Sequence, residues 1–296
     1  MLEFKKITLG DKNLFDKYLK AKKFLSSEYS FTNLYMWRDY YHTDYCIYKG
    51  ALIIRKRDTE GYFTFLEPVG YKEEELNEII ELFITFKNQI KIKNIFDNLT
   101  KDFADKISLY KEYNFIVSED RDSFDYIYEK EKLSMLSGKK YHGKKNHYKS
   151  FIKNYNYTIL DMRLEDVSCR IKETLTIWHN KKNFTDERLK YEMKVIPDLI
   201  KNIHYLDLKG IAVEVDNEIA AFALGEKVGK EMAVIHVEKA DIKYNGVYSF
   251  INKTFLDQCF KEVKFVNREQ DLGIEGLRKA KESYHPIFME KKYKGF

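Results

Sequence analysis

Apolar positions along the chain recur with two periods, and the switches between them lay out the elements. Spacings of three and four predict a helix over residues 11–22. A second helix is predicted in SSEYSFTNLYMWRDYY, where the serines suit an N-cap and Phe31, Leu34, Trp37 and Tyr41 form the apolar face. Period-two alternation in DYCIYKGALIIRKRD predicts a hairpin turning at Lys49-Gly50, and GYFTFLEPVG supplies a third strand. Residues 72–88, KEEELNEIIELFITFKN, read as an amphipathic helix whose acidic first turn suits the helix dipole. Two further strand–helix pieces end in DSFDYIYEK.

The stretch EKLSMLSGKKYHGKKNHYKSFIKNY brings serine, glycine and a shift toward lysine, then a fresh helix. It is the natural junction and predicts two domains, residues 1–133 and 134–296. Beyond it the pattern gives a strand (YTILDM), two helices (LEDVSCRIKETLTIWHNKKN and ERLKYEMKVIPDLIKNIHY) and three strands (KGIAVEVD, NEIAAFALGEKV, KEMAVIHVEKA). A helix (VYSFINKTFLDQCFK), a strand (KFVNREQ), a helix (GIEGLRKAKESY) and a last strand (PIFMEKKYK) complete the chain. Both halves share this rhythm. The expected class is α+β, with two copies of one fold, each a mixed, mostly antiparallel sheet flanked by helices.

Composition adds boundary conditions. Of 296 residues, 44% are hydrophobic and 16% aromatic, enough for two cores, so a disordered chain is excluded. The formal net charge of +5 is mild and would suit an acidic or phosphorylated partner. The N-terminal residues lack the apolar region of a signal peptide, and no apolar run reaches the ~18 residues of a membrane span. Three scattered cysteines (Cys46, Cys169, Cys259) fit a reducing cytoplasm and neither a disulfide framework nor a zinc site. Richness in Lys, Tyr, Asn and Ile fits an AT-rich bacterial genome. No HExxH, GxSxG or Walker motif occurs, and no metal site is expected.

The candidate chemistry lies late in the chain, in VNREQDLGIEGLRKAKESYHP, residues 266–286. Phe265, Asn267, Glu269 and Asp271 read as alternating onto one strand face, giving a polar strand end. In the helix that follows, Ile274, Leu277, Lys281 and Tyr284 share a stripe, and a lysine there either serves a polar cavity or snorkels out to solvent. Asp271, Glu269, His236 and Glu238 are candidate bases; Lys281 and Arg278 are candidates for stabilising an oxyanion. Plainer readings stand beside these: Asp271 as an N-cap, Glu269 and Arg268 as surface charges, His236 as a satisfied core histidine. The junction helix carries Lys145, Lys149 and Lys153 at spacings of four, with Lys139, Lys140 and Lys144 nearby. That stripe over residues 139–153 could meet a tRNA backbone or anionic headgroups, or be an ordinary solvated face. The turn KADIKYNGVYSF follows a strand and opens a helix, a place where free N–H groups favour phosphate.

That turn resembles the acyl-donor loop of GNAT-type acyltransferases, Q/R-x-x-G-x-G/A, with Lys243 first and Gly246 in the middle. Tyr248 stands where the last small residue would be, which turns the expected donor from coenzyme A toward aminoacyl-tRNA. Gly276 to Tyr284 resembles the G-x-x-x-F-K-x-G-F signature of Fem-type peptidoglycan aminoacyltransferases; Gly276 and Lys281 match, while Ala280, Ser283 and Tyr284 depart. YSFTNLYMW together with NREQDLGIEGLRKAKESYHP resembles a bacterial family grouped with the C-terminal catalytic domain of phosphatidylglycerol lysyltransferases. The resemblance runs from about Tyr29 to the end and implies tandem GNAT-like domains. It also implies acyl or aminoacyl transfer, with aminoacyl-tRNA or acyl-CoA as donor substrate. Lys281, Tyr284, Asn267 and Arg278 would then line the donor site. The alternatives are an acetyl-CoA-dependent N-acetyltransferase and a non-catalytic module that binds RNA or an anionic surface.

Overall fold

The computed structural model describes residues 2–296 apart from 23, 59 and 182–185. Its contacts group the chain into two units. One unit takes residues 1–125, 270–274 and 289–296; the other takes 126–269 and 275–288.

The elements through the first half are β1 (Lys5–Lys6), α1 (Lys12–Leu19), α2 (Phe31–Met36), β2 (Asp44–Tyr48), β3 (Ala51–Arg57) and β4 (Phe63–Phe65). They continue with α3 (Leu76–Gln89), β5 (Ile92–Leu99), α4 (Lys101–Ile107), β6 (Val117–Glu119), β7 (Asp125–Glu129) and α5 (Lys130–Met135). Then come α6 (His142–Asn154), β8 (Tyr157–Asp161), α7 (Glu165–Lys181), α8 (Glu187–Lys201), β9 (Lys209–Val215), β10 (Glu218–Val228) and β11 (Met232–Ala240). The chain ends with α9 (Val247–Cys259), β12 (Phe265–Asn267), α10 (Glu275–Glu282), β13 (Phe288–Glu290) and β14 (Tyr293–Gly295). No helix among the described residues is long and apolar enough to cross a membrane.

The strands form two seven-stranded sheets, ordered β1-β2-β3-β4-β5-β14-β6 and β13-β7-β12-β11-β10-β9-β8. Among the described pairs, each sheet contains one parallel pair joined by a crossover helix: β4 and β5 through α3, β11 and β12 through α9. The remaining pairs described in both sheets are antiparallel, so the expected mixed, mostly antiparallel architecture is what folds. In the first unit Ile53, Phe65, Ile79, Ile80, Phe83 and Phe96 form one apolar cluster between sheet and helices. In the second, α9 packs on β9, β10 and β11 and against α5 and α6, burying Phe250, Phe255 and Leu256.

The local expectations hold where local forces suffice. The hairpin turns at Lys49 and Gly50, both at positive φ, as a two-residue turn between twisted strands requires. Four expectations need correction. The predicted apolar helix around Phe31 stops at Met36, so Trp37 is buried from a turn and Tyr41 lies beyond the helix. The strand expected to run through Asp271 stops at Asn267, because the Asn267 Oδ1 accepts the Glu269 N–H at 2.7 Å and Glu269 adopts φ 56°. The helix after it is confined to Glu275–Glu282, so Ile274 and Tyr284 flank it rather than sharing its stripe. The last predicted strand is two, β13 and β14, placed in different sheets. Residues 182–183 of one predicted helix lie outside the described residues.

The segments that return to the first unit are tied into it by buried charges. The Asp125 carboxylate accepts the Lys292 ammonium at 2.7 Å and the Ser27 N–H at 2.6 Å. Glu28 pairs with Lys56 and accepts the Gln270 amide at 3.4 Å, and Asp271 pairs with Arg121 at 3.1 Å.

Candidate active site

The second parallel pair parts beyond a short stretch of pairing. β11 and β12 are in register only from Met232–Val234 against Phe265–Asn267; β11 then runs on to Ala240 while β12 ends. Strands that part in this way leave backbone and side chains unclaimed by the sheet, the usual place for a ligand in such folds. Alternation along β11 puts Val234, His236 and Glu238 on one face.

Glu238 is the centre of the cluster. Its Oε1 accepts from Arg268 Nη2 at 2.9 Å and its Oε2 from Asn252 Nδ2 at 3.1 Å. Among the described residues, Arg268 Nη1 and Asn252 Oδ1 are buried and have no hydrogen-bond partner. Buried polar groups are nearly always paired, so an orphaned donor and an orphaned acceptor flanking one carboxylate mark a place built for something else. The ring of Tyr284 lies 4.8 Å from the Arg268 guanidinium, and its hydroxyl is 3.4 Å from Ser249 Oγ. Burial pushes the hydroxyls of Tyr284 and Tyr128 up from their ordinary values, so both remain protonated donors at neutral pH.

The expected site residues separate into distinct roles. His236 is fully buried between two carboxylates: Nδ1 lies 2.8 Å from Glu269 and Nε2 2.9 Å from Glu226. Burial alone would lower this imidazole, but the hydrogen bonds to Glu226 and Glu269 outweigh it and raise it to about 10. A histidine charged throughout the neutral range and locked at both nitrogens is a clamp on Glu269, not a base. Because its folded value lies above the ordinary 6.5, its contribution to stability is full below about pH 6.5 and is lost as pH rises toward 10. The melting-temperature advantage of the wild type over His236→Gln is therefore expected to shrink steadily from pH 7 to about 10. A difference independent of pH would show that the imidazole is not charged.

Lys281 points inward, donating to the backbone carbonyl of Arg268, while its own carbonyl accepts from the Tyr128 hydroxyl at 2.8 Å. It therefore holds the backbone that carries Arg268. Asn267 is buried and pins the turn at Glu269. Asp271 belongs to the other unit, where it pairs with Arg121 and accepts the Gly273 N–H at 2.8 Å. Arg278 is half-buried on α10. Lys145 and Lys149 are exposed on α6, as is Lys153, and α6 contains no acidic residue.

The donor-loop turn is closed as folded. A Cβ at Gly246, where φ is 84°, would lie 2.0 Å from the His147 carbonyl, so the glycine admits α6 rather than a ligand. Four of the turn's N–H groups are committed: Lys243 and Tyr244 to Asp241, Asn245 to the Tyr155 hydroxyl at 3.1 Å, Val247 to Tyr244. The Lys243 side chain pairs with Glu218.

Sequence reasoning passed over Arg268 as a surface charge and missed Asn252. The available signal was Ser249 and Asn252, two polar residues three apart in the helix VYSFINKTFL and so on one face with its apolar neighbours. The first unit has a counterpart carboxylate, Glu67 just past β4. There it is satisfied by Lys22 and by the N–H and hydroxyl of Thr100 at 3.0 and 2.6 Å.

Two sheets, each with a splayed parallel pair bridged by a helix, define a tandem GNAT-like acyltransferase fold. A tandem GNAT protein from the clavulanic acid biosynthesis pathway superposes with a TM-score of 0.52 at 6% identity, over 100% of this chain and 98% of that one. The family described as "Phosphatidylglycerol lysyltransferase, C-terminal" matches residues 21–295, and the chain belongs to that family. A conserved protein of unknown function from Bacteroides thetaiotaomicron superposes with a TM-score of 0.86 at 30% identity, over 100% and 99% of the two chains. The C-terminal domain of a putative lysylphosphatidylglycerol synthetase from Agrobacterium fabrum does so at 0.67 and 12%, over 97% and 90%. An uncharacterised protein of Mycoplasmoides gallisepticum is 27% identical over 173 residues, 58% of this chain and 55% of that one. The chain thus spans about half the length of the curated relative it matches.

Proposed function

We propose that the protein transfers an aminoacyl group from the ester of an aminoacyl-tRNA to a nucleophilic acceptor in the cleft between β11 and β12. The observation that carries this reading is the Glu238 carboxylate, set between Arg268 and Asn252 with an orphaned N–H and an orphaned carbonyl oxygen beside it. In the reaction the acceptor's N–H or O–H gives its proton to Glu238 as the acceptor atom bonds to the ester carbonyl carbon. The carbonyl oxygen gains negative charge, which Arg268 Nη1 stabilises. Collapse breaks the ester C–O bond, and the departing ribose hydroxyl takes the proton from Glu238. One such donor contributes about 3–4 kcal/mol to the transition state. Asn252 Oδ1 accepts from the aminoacyl ammonium. Lys281 and His236 act as positioning residues through the Arg268 backbone and Glu269.

The closed turn at Gly246 disfavours coenzyme A as donor, and the unpaired lysines of α6 suit a tRNA backbone. The family's name makes a lysyl ester and phosphatidylglycerol the first pair to try. Labelled lysyl-tRNA and alanyl-tRNA would be incubated with the protein and phosphatidylglycerol vesicles, and label followed into the organic extract. Label is expected to move from one of the charged tRNAs and to slow steeply as salt rises. Equal binding of charged and uncharged tRNA, with no label leaving either, would sink the transferase reading in favour of a non-catalytic RNA-binding module.

A further inference from the structure

The cluster around Glu238 holds more positive than negative charge. Lys144, on α6, is half-buried with its Nζ 4.1 Å from the centre of the Tyr284 ring. Arg268 lies against the same ring at 4.8 Å. Glu238 is committed to Arg268 and Asn252. Among the described residues no carboxylate comes within ion-pair distance of Lys144. Two cations therefore flank one phenol, and one carboxylate serves them. Burial, and then the Arg268 charge, lower Lys144 from its ordinary value, as expected of a cation lacking its anion. A neutral partner could satisfy the Arg268 N–H but would leave the surplus charge in place; an anion does both.

We propose that this cluster is a receptor for an anionic group, a carboxylate or a phosphate, bound beside Tyr284 with one N–H of Arg268 Nη1 as its hydrogen-bond donor, the other being left for the oxyanion, and Lys144 as its second charge. The proposal rests on the cleft being the transfer site and gives one of its substrates a negative charge near the reacting atoms.

The test is calorimetric titration of the intact protein with inorganic phosphate and with acetate, chloride holding ionic strength constant. Saturable binding of one or both is expected; preference for phosphate or acetate identifies a phosphoryl or a carboxyl ligand. Lys144→Gln is expected to weaken that binding about tenfold with the melting temperature unchanged, whereas Lys172→Gln, on the exposed side of α7, leaves it as it was. Absence of saturable binding, or equal weakening by both variants, overturns the receptor. Binding is read without turnover, so the two readings can fail separately. Phosphate binding lost in Lys144→Gln, in a protein that transfers nothing, keeps the receptor and discards the transferase. Transfer with no anion binding does the reverse.

Discussion

Replacing Glu238 with glutamine is expected to lower aminoacyl transfer at least about 100-fold while leaving the protein folded. The substitution keeps the side chain's shape, and the amide carbonyl can still accept from Arg268, so the cation is not left bare. Glutamine cannot take the acceptor's proton. The loss should therefore appear in kcat, with the affinity for charged tRNA close to wild type, because the proposed tRNA contact is on α6 and not at Glu238. Arg268→Lys makes the complementary test. Lysine keeps the charge but loses the fork that serves Glu238 and the oxyanion together, so a loss of similar size is expected. A Glu238→Gln protein with the full rate and wild-type stability would remove Glu238 from the chemistry.

The largest effect on stability is expected at Lys292. Its side chain is 1% exposed and that of its partner Asp125 is 0% exposed. Lys292→Met preserves much of the packing volume but leaves the buried Asp125 carboxylate without its ammonium partner. Breaking a buried pair from one side costs about 3–5 kcal/mol, a large share of a typical domain's stability. Urea unfolding should show a lower midpoint with an unchanged slope. Adding Asp125→Asn to the same chain should recover most of the loss, since the penalty belongs to the stranded charge. If the double variant is no more stable than the single, the cost lies in packing instead.

The elements were legible because their causes are local. Apolar period, acidic first turns and the Lys49-Gly50 turn act within a few residues of themselves, and most of the predicted strands and helices fold near where the pattern puts them. The repeated rhythm of the two halves announced two similar sheets. The final strand failed as a single element because PIFMEKKYK has one continuous alternation but two sets of partners. Tyr293 pairs with Leu99 and Glu119 in the first sheet, whereas β13 stands at the edge of the second. Nothing within nine residues records which distant backbone will supply the hydrogen bonds.

The candidate site was readable by neighbourhood and misread by role. His236, Glu238, Glu269, Asn267 and Lys281 do cluster where the second parallel pair parts. Yet His236 is a clamped cation, Lys281 holds a backbone carbonyl and Asp271 is spent on Arg121. Arg268, set aside as a surface charge, is instead the cation that Glu238 meets.

By itself the sequence determined the elements, the α+β class, the tandem repeat and the family, because these rest on residue order and short-range preference. Only the tertiary structure decided which strand completes which sheet, that the turn at Gly246 packs against the backbone of α6, and that Glu238 stands between an arginine and an asparagine with atoms to spare. The physical reason is common to all three: hydrogen bonds, burial and charge balance belong to pairs of groups far apart in the chain. A polar residue has no role until folding has chosen its partner and removed its water.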